Sequence, residues 1–211
     1  MGLVAQLGKN DDFDSIITSS HNRFMKIILI FLFFLTPLVS HSAWTVRYSL
    51  FYYSWEDDVD NYTASRMNNF LFIGASFDKD QQIFLGPSYQ VWSKAHKPNS
   101  SSTESDLSLT EFGARFVYFF DRAWRWKFSA TYNFASSGNR TVGGASQEVD
   151  GSGYQLSLGY SLPVNRNFYV GASLNYHSVG IESSTVNNTK SNVTQTYTTL
   201  YPMLEFALRF K

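Results

Sequence analysis

The chain has 211 residues, a formal net charge of +0 and no cysteine. The neutral balance gives no indication of a polyanionic partner such as nucleic acid, and the lack of cysteine excludes disulfides, thiolate chemistry and a lipid-modified cysteine. Aromatic residues make up 18% and charged residues 16% of the sequence, whereas a typical soluble domain has about 25% charged residues. Because only one long apolar run is present, this composition favours a β-sheet membrane protein over a helical one.

The one long apolar run lies near the N-terminus and has the organisation of a secretory signal peptide. The pair Met25-Lys26 gives a basic start, an apolar core follows at 27–39, and small residues precede Trp44. The core is shorter than the roughly 20 residues that a membrane-spanning helix requires. We therefore assign residues 25–43 to a cleaved signal peptide, and a retained membrane anchor is the alternative.

The segment before this signal, residues 1–24, is polar and has no recognisable period. We interpret it as an extension from an upstream start codon, and a long signal n-region is the alternative. In either case it is expected to be disordered or absent, and the fold is expected to be a single domain over residues 44–211.

Eight stretches of the mature chain are predicted strands, because apolar or aromatic residues alternate with polar ones. Side chains on a strand alternate between its two faces, so each stretch has one apolar face and one polar face. In chain order the predicted strands are 44–55, 69–77, 83–93, 109–120, 124–134, 154–162, 168–177 and 197–210. The clearest is 124–134, which has aromatic residues near both ends and the length of about 9–11 residues that a bilayer-crossing barrel strand needs.

The segments between the predicted strands alternate between long polar connectors and tight turns. The long connectors lie near residues 60, 100, 145 and 187, and the tight turns near 79, 122 and 165. A transmembrane barrel has this asymmetry, whereas a secreted β-sandwich has no physical reason for it. We therefore predict an all-β fold: an eight-stranded antiparallel up-and-down transmembrane β-barrel with short periplasmic turns and long extracellular loops.

The last predicted strand carries the most specific pattern in the chain. Apolar residues alternate along it into a final aromatic residue: Leu204, Phe206, Leu208 and Phe210. With this ending, residues 44–211 resemble the small bacterial outer-membrane barrels of the OmpA transmembrane-domain and OmpX kind. The resemblance implies a location in the outer membrane of a Gram-negative bacterium, and it implies that these four residues act as the signal for the outer-membrane insertion machinery.

The resemblance also implies the surroundings of the barrel. Outer-membrane lipids and lipopolysaccharide would contact its wall, and cell-surface ligands would meet its outer loops; no cofactor is expected. Aromatic residues near the strand ends are expected at the two membrane–water interfaces. These predicted interface residues are Trp44, Trp124, Trp126, Tyr132, Tyr154, Phe168, Tyr176 and Phe210.

The alternation of the strands places most charged residues on the inward face, because an arginine or lysine facing lipid near the midplane costs roughly 2–4 kcal/mol. This predicted lumen charge network consists of Arg47, Glu111, Arg115, Arg125, Lys127, Glu205 and Arg209. Closure of the barrel is expected to bring Glu205 and Arg209 near Arg47, and the neighbouring strands four and five are expected to bring Glu111 and Arg115 toward Lys127. An eight-stranded barrel is just wide enough for side chains to fill it. We therefore expect a polar plug of ion pairs and Ser, Asn and Gln hydrogen bonds. A narrow channel that favours anions is the alternative, since Arg and Lys outnumber Glu on this face.

Two further groups are weaker candidates for chemistry. His177-Ser178 could act as base and nucleophile in a lipid-modifying barrel enzyme, but adjacent residues on a strand point to opposite faces, and the alternation predicts that His177 points inward, away from lipid. The acidic run over residues 56–60 lacks the spacing and the glycine of a calcium loop. We therefore predict no catalytic and no metal-binding residues. The favoured function is a structural or surface-interaction protein, with a small-solute or lipid-associated pore as the alternative.

Overall fold

A computed structural model gives the fold of four segments of the chain, residues 43–57, 62–98, 105–186 and 189–210. Within these segments, no helix is long and apolar enough to cross a membrane. The predicted extension at 1–24 and the predicted signal peptide up to Ser42 lie outside the described residues. Ala43, the last residue assigned to the signal, takes part in the fold: its amide donates to Ser76 Oγ at 3.2 Å, and its carbonyl accepts from the Ser76 amide at 2.9 Å.

Eight β-strands make up the described structure, and each pairs antiparallel with its neighbour along the chain. The last strand also pairs antiparallel with the first, so the sheet closes into a ring. The strands are β1 (Trp44–Asp57), β2 (Tyr62–Ser76), β3 (Ile83–Pro98), β4 (Ser105–Phe119), β5 (Trp126–Val142), β6 (Ala145–Pro163), β7 (Phe168–Val186) and β8 (Thr189–Phe210). The predicted all-β, eight-stranded antiparallel barrel is confirmed.

Three tight turns join β2 to β3, β4 to β5 and β6 to β7, and we call this end of the barrel the turn end. Each turn is held by the side chain of an Asp or Asn residue near its start. Asp78 accepts hydrogen bonds from two following backbone amides at 2.8 Å, Asp121 from the amides of Arg125 and Trp126, and Asn165 from two amides at 2.9 Å. Such side-chain acceptors take the place of a backbone partner in a turn. The three predicted tight turns are present.

The opposite end, which we call the hairpin end, differs from the expectation of long loops. The strands continue through most of the segments predicted as connectors, so that β5 and β6 are joined by Gly143 and Gly144 alone. Both glycines have positive φ, +58° and +81°, as a tight hairpin turn requires. Residues 189–196 of β8 were predicted as connector because they are polar, yet this segment pairs with β7, and its Thr and Val residues favour strands.

The inward faces of the strands carry apolar as well as polar side chains. Two clusters of buried apolar residues lie inside the ring. The turn-end cluster consists of Ala43, Phe70, Phe72, Phe84, Val117, Phe119, Trp124, Tyr201 and Met203. The hairpin-end cluster consists of Trp92, Leu107, Leu109, Val149, Val179 and Ile181. The interior is therefore not the purely polar plug that the sequence predicted.

Candidate functional site

Six of the seven residues predicted to form the lumen charge network are buried inside the barrel: Arg47, Glu111, Arg115, Lys127, Glu205 and Arg209. They do not form one continuous network. The structure divides them among an ionic layer around Glu205, a separate layer around Glu111, and a single arginine at the turn end.

Glu205 is the centre of the ionic layer. Pairing of β1 with β8 places Ser49 opposite Glu205, which brings Arg47, two residues earlier on the same face, beside the carboxylate. Arg47 Nε donates to Glu205 Oε1 at 3.0 Å, and Arg47 Nη2 and Lys127 Nζ both bind the same oxygen. Because Lys127 belongs to β5, these ion pairs join strands on opposite sides of the ring.

Arg115 lies near this layer, but its described contacts are of another kind. Its Nη2 donates to Ser129 Oγ at 2.6 Å, and its guanidinium lies over the Phe70 ring, 4.3 Å from the centroid. An arginine stacked on an aromatic face keeps an electrostatic partner without a carboxylate. Arg115 therefore packs against the turn-end cluster, to which Phe70 belongs.

Glu111 forms the second polar layer, and its partners are mostly neutral. Its carboxylate accepts hydrogen bonds from Trp92 Nε1 at 3.0 Å and from Asn133 Nδ2, and His177 Nε2 lies 3.0 Å from Oε2. The expected approach of Glu111 to Lys127 is not seen, because Lys127 is bound to Glu205. Nothing in the sequence spacing indicated this group, since its members come from four different strands.

The pair His177-Ser178, considered above as a base and nucleophile, is divided by the strand geometry. His177 is buried and faces Glu111, whereas Ser178 Oγ lies 3.3 Å from Thr198 Oγ1 on the neighbouring strand. The inward direction predicted for His177 is the one observed.

A third set of hydrogen bonds lies between the two layers. Asn68 Nδ2 donates to the Tyr201 hydroxyl at 2.6 Å, and Gln90 Nε2 donates to Asn68 Oδ1 at 3.1 Å. These residues are all buried and belong to β2, β3 and β8. Their bonds cross the inside of the barrel, so polar side chains fill the space between the ionic layer and the hairpin-end cluster.

The structure corrects the prediction for Arg125. This residue lies in the turn before β5, with its side chain about half exposed, and its Nε pairs with Asp121 Oδ2 at 3.1 Å. The predicted strand began at residue 124, whereas β5 begins only at Trp126, so the alternation of faces does not apply to Arg125. Burial disfavours the ionised Asp121 and raises its pKa, but hydrogen bonds from the Arg125 side chain and from two backbone amides together outweigh this effect, so the pKa of the carboxyl is lowered.

The structure also corrects the prediction for Trp124, which was placed at the outer surface as an interface aromatic. Trp124 has a positive φ of 57° and is only 9% exposed. Its side chain turns into the barrel and packs in the turn-end cluster, where its ring centroid lies 6.3 Å from those of Phe119 and Tyr169. The reversal of the backbone at this turn residue breaks the alternation on which the prediction depended.

The other predicted interface residues and the alternating residues of β8 point outward. Phe168 is half-buried, and the remaining ones are exposed: Trp44, Trp126, Tyr132, Tyr154, Tyr176, Leu204, Phe206, Leu208 and Phe210. They share the outer face with many other apolar side chains, including Leu156, Leu158, Leu162 and Leu174. The outer wall is thus apolar, as predicted.

No protein-family model matches the chain, and no curated protein matches it. Among solved structures, the chain is similar to the crystal structure of Neisserial surface protein A at 18% sequence identity, over 81% of this chain and 96% of that chain, with a TM-score of 0.40. The fold assigned to the chain therefore rests on its own strand pairing.

Proposed function

We propose that the chain is an integral outer-membrane barrel, closed inside by its own side chains, that acts as a structural or surface-interaction protein through its hairpins. The observation that carries this proposal is the combination of a closed ring with an apolar outer wall. Contiguous exposed apolar surface of this extent is typical of membrane contact. Closing the sheet satisfies backbone groups that lipid cannot, which is why barrels can span a membrane.

The filled interior favours this role over that of a pore. The Glu205 ion pairs, the Asn68–Gln90–Tyr201 hydrogen bonds and two apolar clusters occupy successive levels inside the ring. A barrel that conducts through an open aqueous channel typically has about 16–18 strands, whereas eight strands leave room for little more than their side chains. The proposed partners are therefore membrane lipid and lipopolysaccharide outside the wall, the insertion machinery during assembly, and ligands at the hairpins.

The proposal also assigns no enzymatic activity to the barrel. A lipid-modifying site would need a base and a nucleophile within hydrogen-bonding reach of each other and of lipid. His177 is 1% exposed and faces Glu111, and Ser178 is near Thr198 instead. Mass spectrometry of lipid A from cells with and without the protein tests this assignment, and a gained or lost acyl chain would overturn it.

Membrane fractionation and gel mobility test the architecture. We expect the protein to fractionate with outer membranes and to migrate differently in SDS before and after boiling, because small barrels of the kind it resembles resist SDS until heated. A soluble protein without a heat-dependent shift would contradict the proposal.

The orientation can be tested with two epitope tags. A tag inserted between Gly143 and Gly144, at the hairpin end, should be detected on intact cells. The same tag inserted after Asn165, at the turn end, should be detected only after the outer membrane is permeabilised. The opposite pattern would place the hairpins in the periplasm and remove the proposed surface role.

Planar-bilayer recording separates the closed barrel from the pore alternative. The purified protein is expected to give no stable conductance steps. Stable, ion-selective steps that change in Arg115→Ala, but not in Arg122→Ala at an exposed turn, would support the pore instead.

A further inference from the structure

A cavity of about 280 Å³ lies at the turn end of the barrel. Its lining consists of Trp124, Arg166, Asn167, Tyr169 and Arg209. Two of these residues are cations, one carries an amide and two are aromatic. A cavity with this lining favours an anion, because no carboxylate among the described residues takes part in it.

Arg209 is a buried cation whose hydrogen bonds are incomplete. It is 5% exposed, and its Nη2 donates to Gln81 Oε1 at 2.8 Å and to the Gln81 carbonyl at 3.4 Å. Its Nε and Nη1 have no hydrogen-bond partner among the described residues. The nearby Asp78 carboxylate is already engaged by backbone amides of the turn. The guanidinium lies over the Phe84 and Trp124 rings, which stabilise its charge but accept no conventional hydrogen bond. The Nε and Nη1 donors therefore still lack an acceptor, such as a carboxylate or phosphate oxygen.

Trp124 gives a second, independent indication that this region is built for binding. A bulky residue with φ of +57° is strained, and such strain persists only where the surroundings impose it, often at binding sites. Here the strained backbone places the indole ring against the Arg209 guanidinium and beside Tyr169. The two aromatic rings thereby form a wall next to the cations.

The backbone fixes the remaining residues of the cavity. The Arg209 amide donates to the Asn167 carbonyl at 2.9 Å, which ties the end of β8 to the turn between β6 and β7. The same turn is held by Asn165, and it carries the exposed side chains of Arg166 and Asn167. The cavity thus lies between a rigid strand end and a braced turn.

We propose that this cavity binds an oxyanion, a carboxylate or a phosphate, carried on a small molecule with a planar or apolar body. Arg209 and Arg166 supply the positive charge, Asn167 supplies an amide donor, and Trp124 and Tyr169 flank the body of the ligand. Anion binding in this cavity does not depend on the proposed outer-membrane function. Only the location of the turn end in the periplasm rests on that function.

The test is an NMR titration of the purified, folded protein in detergent micelles with three probes: inorganic phosphate, benzoate, and benzyl alcohol as the uncharged control. We expect phosphate, benzoate or both to shift the Trp124 indole N–H and the Arg209 Nε–H resonances saturably, and benzyl alcohol to leave the Arg209 signal unchanged. Saturation by phosphate alone assigns a phosphate ligand, and saturation by benzoate alone assigns a carboxylate on a planar body.

Variants identify the cavity as the place of binding. Arg166→Gln should weaken binding by about tenfold, since it removes a charge-assisted contact from an exposed side chain that the fold does not need. Arg122→Gln makes the same change at a neighbouring exposed turn and should leave the affinity unaltered. The heat-dependent gel shift of each variant reports separately on folding. The proposal is overturned if no probe saturates, or if Arg166→Gln and the parent protein bind equally.

Discussion

Two glutamates are buried inside this barrel, and their surroundings differ. Glu205 is bound by two full cations, Arg47 and Lys127, whereas Glu111 is held by an indole N–H, an amide and the His177 ring. Both side chains are almost completely shielded from solvent, at 2% and 0% exposure. A carboxylate inside the same barrel is therefore held either by two full cations or by an indole, an amide and an imidazole, of which only the imidazole can carry charge.

The difference follows from where each residue lies in the ring. Glu205 is on β8 beside the seam with β1, which is paired only from Trp44↔Phe210 to Leu50↔Leu204. Its cations come from β1 and β5, so the ion pairs connect both sides of the seam to the far wall. Glu111 is on β4, which pairs with β3 and with β5 over longer stretches than the β1–β8 seam. The partners of Glu111 therefore hold side chains in place and do not connect the two strands of the seam.

Replacing Glu205 should have the largest effect. Glu205→Gln leaves Arg47 and Lys127 buried without a counter-charge, and breaking a buried pair from one side costs about 3–5 kcal/mol. We expect the urea midpoint of unfolding in lipid vesicles, followed by the gel shift, to fall accordingly. Glu148→Gln, at an exposed position of β6, is the matched control and should change little. If the urea midpoint of Glu205→Gln falls as little as that of the control, the ionic layer does not stabilise the seam between β1 and β8.

Glu111→Gln should be the milder of the two matched changes. The new amide can still accept from Trp92, but its NH₂ group meets the Asn133 amide, so one buried donor loses its partner at a cost of about 1–3 kcal/mol. The same urea titration measures it. If the urea midpoint falls as far as that of Glu205→Gln, Glu111 is paired with a charged side chain.

His177 decides between those outcomes, because it is the partner of Glu111 that can carry charge. A double-mutant cycle of Glu111→Gln and His177→Gln measures their coupling, and double-mutant cycles isolate a pairwise contribution. For a neutral imidazole hydrogen bond we expect a coupling of about 0.5–1.5 kcal/mol. A coupling well above that range would identify a His–Glu ion pair and erase the contrast between the two layers.

This comparison also shows what the sequence could predict. Where one face of a strand is apolar and the other carries charged residues, the charged face points inward. Alternation therefore predicted the burial of Arg47, Lys127 and Glu205. The order of the strands around the ring predicted that Arg47 lies close to Glu205. The Glu111 layer was not predictable, because Trp92, Asn133 and His177 come from strands that meet only in the folded ring.

The apolar part of the interior was hidden for a related reason. Around Phe70 and Phe72, and again around Phe119, both faces of the strand are apolar, so alternation gives no indication of which side faces the lumen. Trp124 was misplaced because a turn reverses the backbone before β5 begins. Alternation is informative only where the two faces differ and the strand is continuous.

A third carboxylate, that of Asp121, lies in a solvent-accessible turn. Its replacement is expected to change stability less than replacement of either buried glutamate. Its pKa is lowered by hydrogen bonds from Arg125 and from two backbone amides, which outweigh the opposing effect of partial burial. A group whose pKa is lower in the folded than in the unfolded state stabilises the fold above its unfolded pKa, and this contribution is lost as the pH falls through the folded pKa. Asp121→Ala should therefore reduce stability by less than about 1 kcal/mol at neutral pH, because the site is solvated.

The difference in stability between Asp121→Ala and the parent protein should shrink as the pH falls below the ordinary pKa range of an aspartate. The parent protein then loses the stabilising contribution of the ionised carboxylate as well. Urea titrations of both proteins at neutral and acidic pH measure this convergence. Asp80, whose side chain is exposed and pairs with Arg122 at 3.5 Å, offers the matched control in Asp80→Ala. Parallel pH profiles for the Asp121 variant and the parent would show that the turn does not depend on the ionised carboxylate. Solvent would then compete successfully with the turn's own donors, which it cannot do at the two buried glutamates.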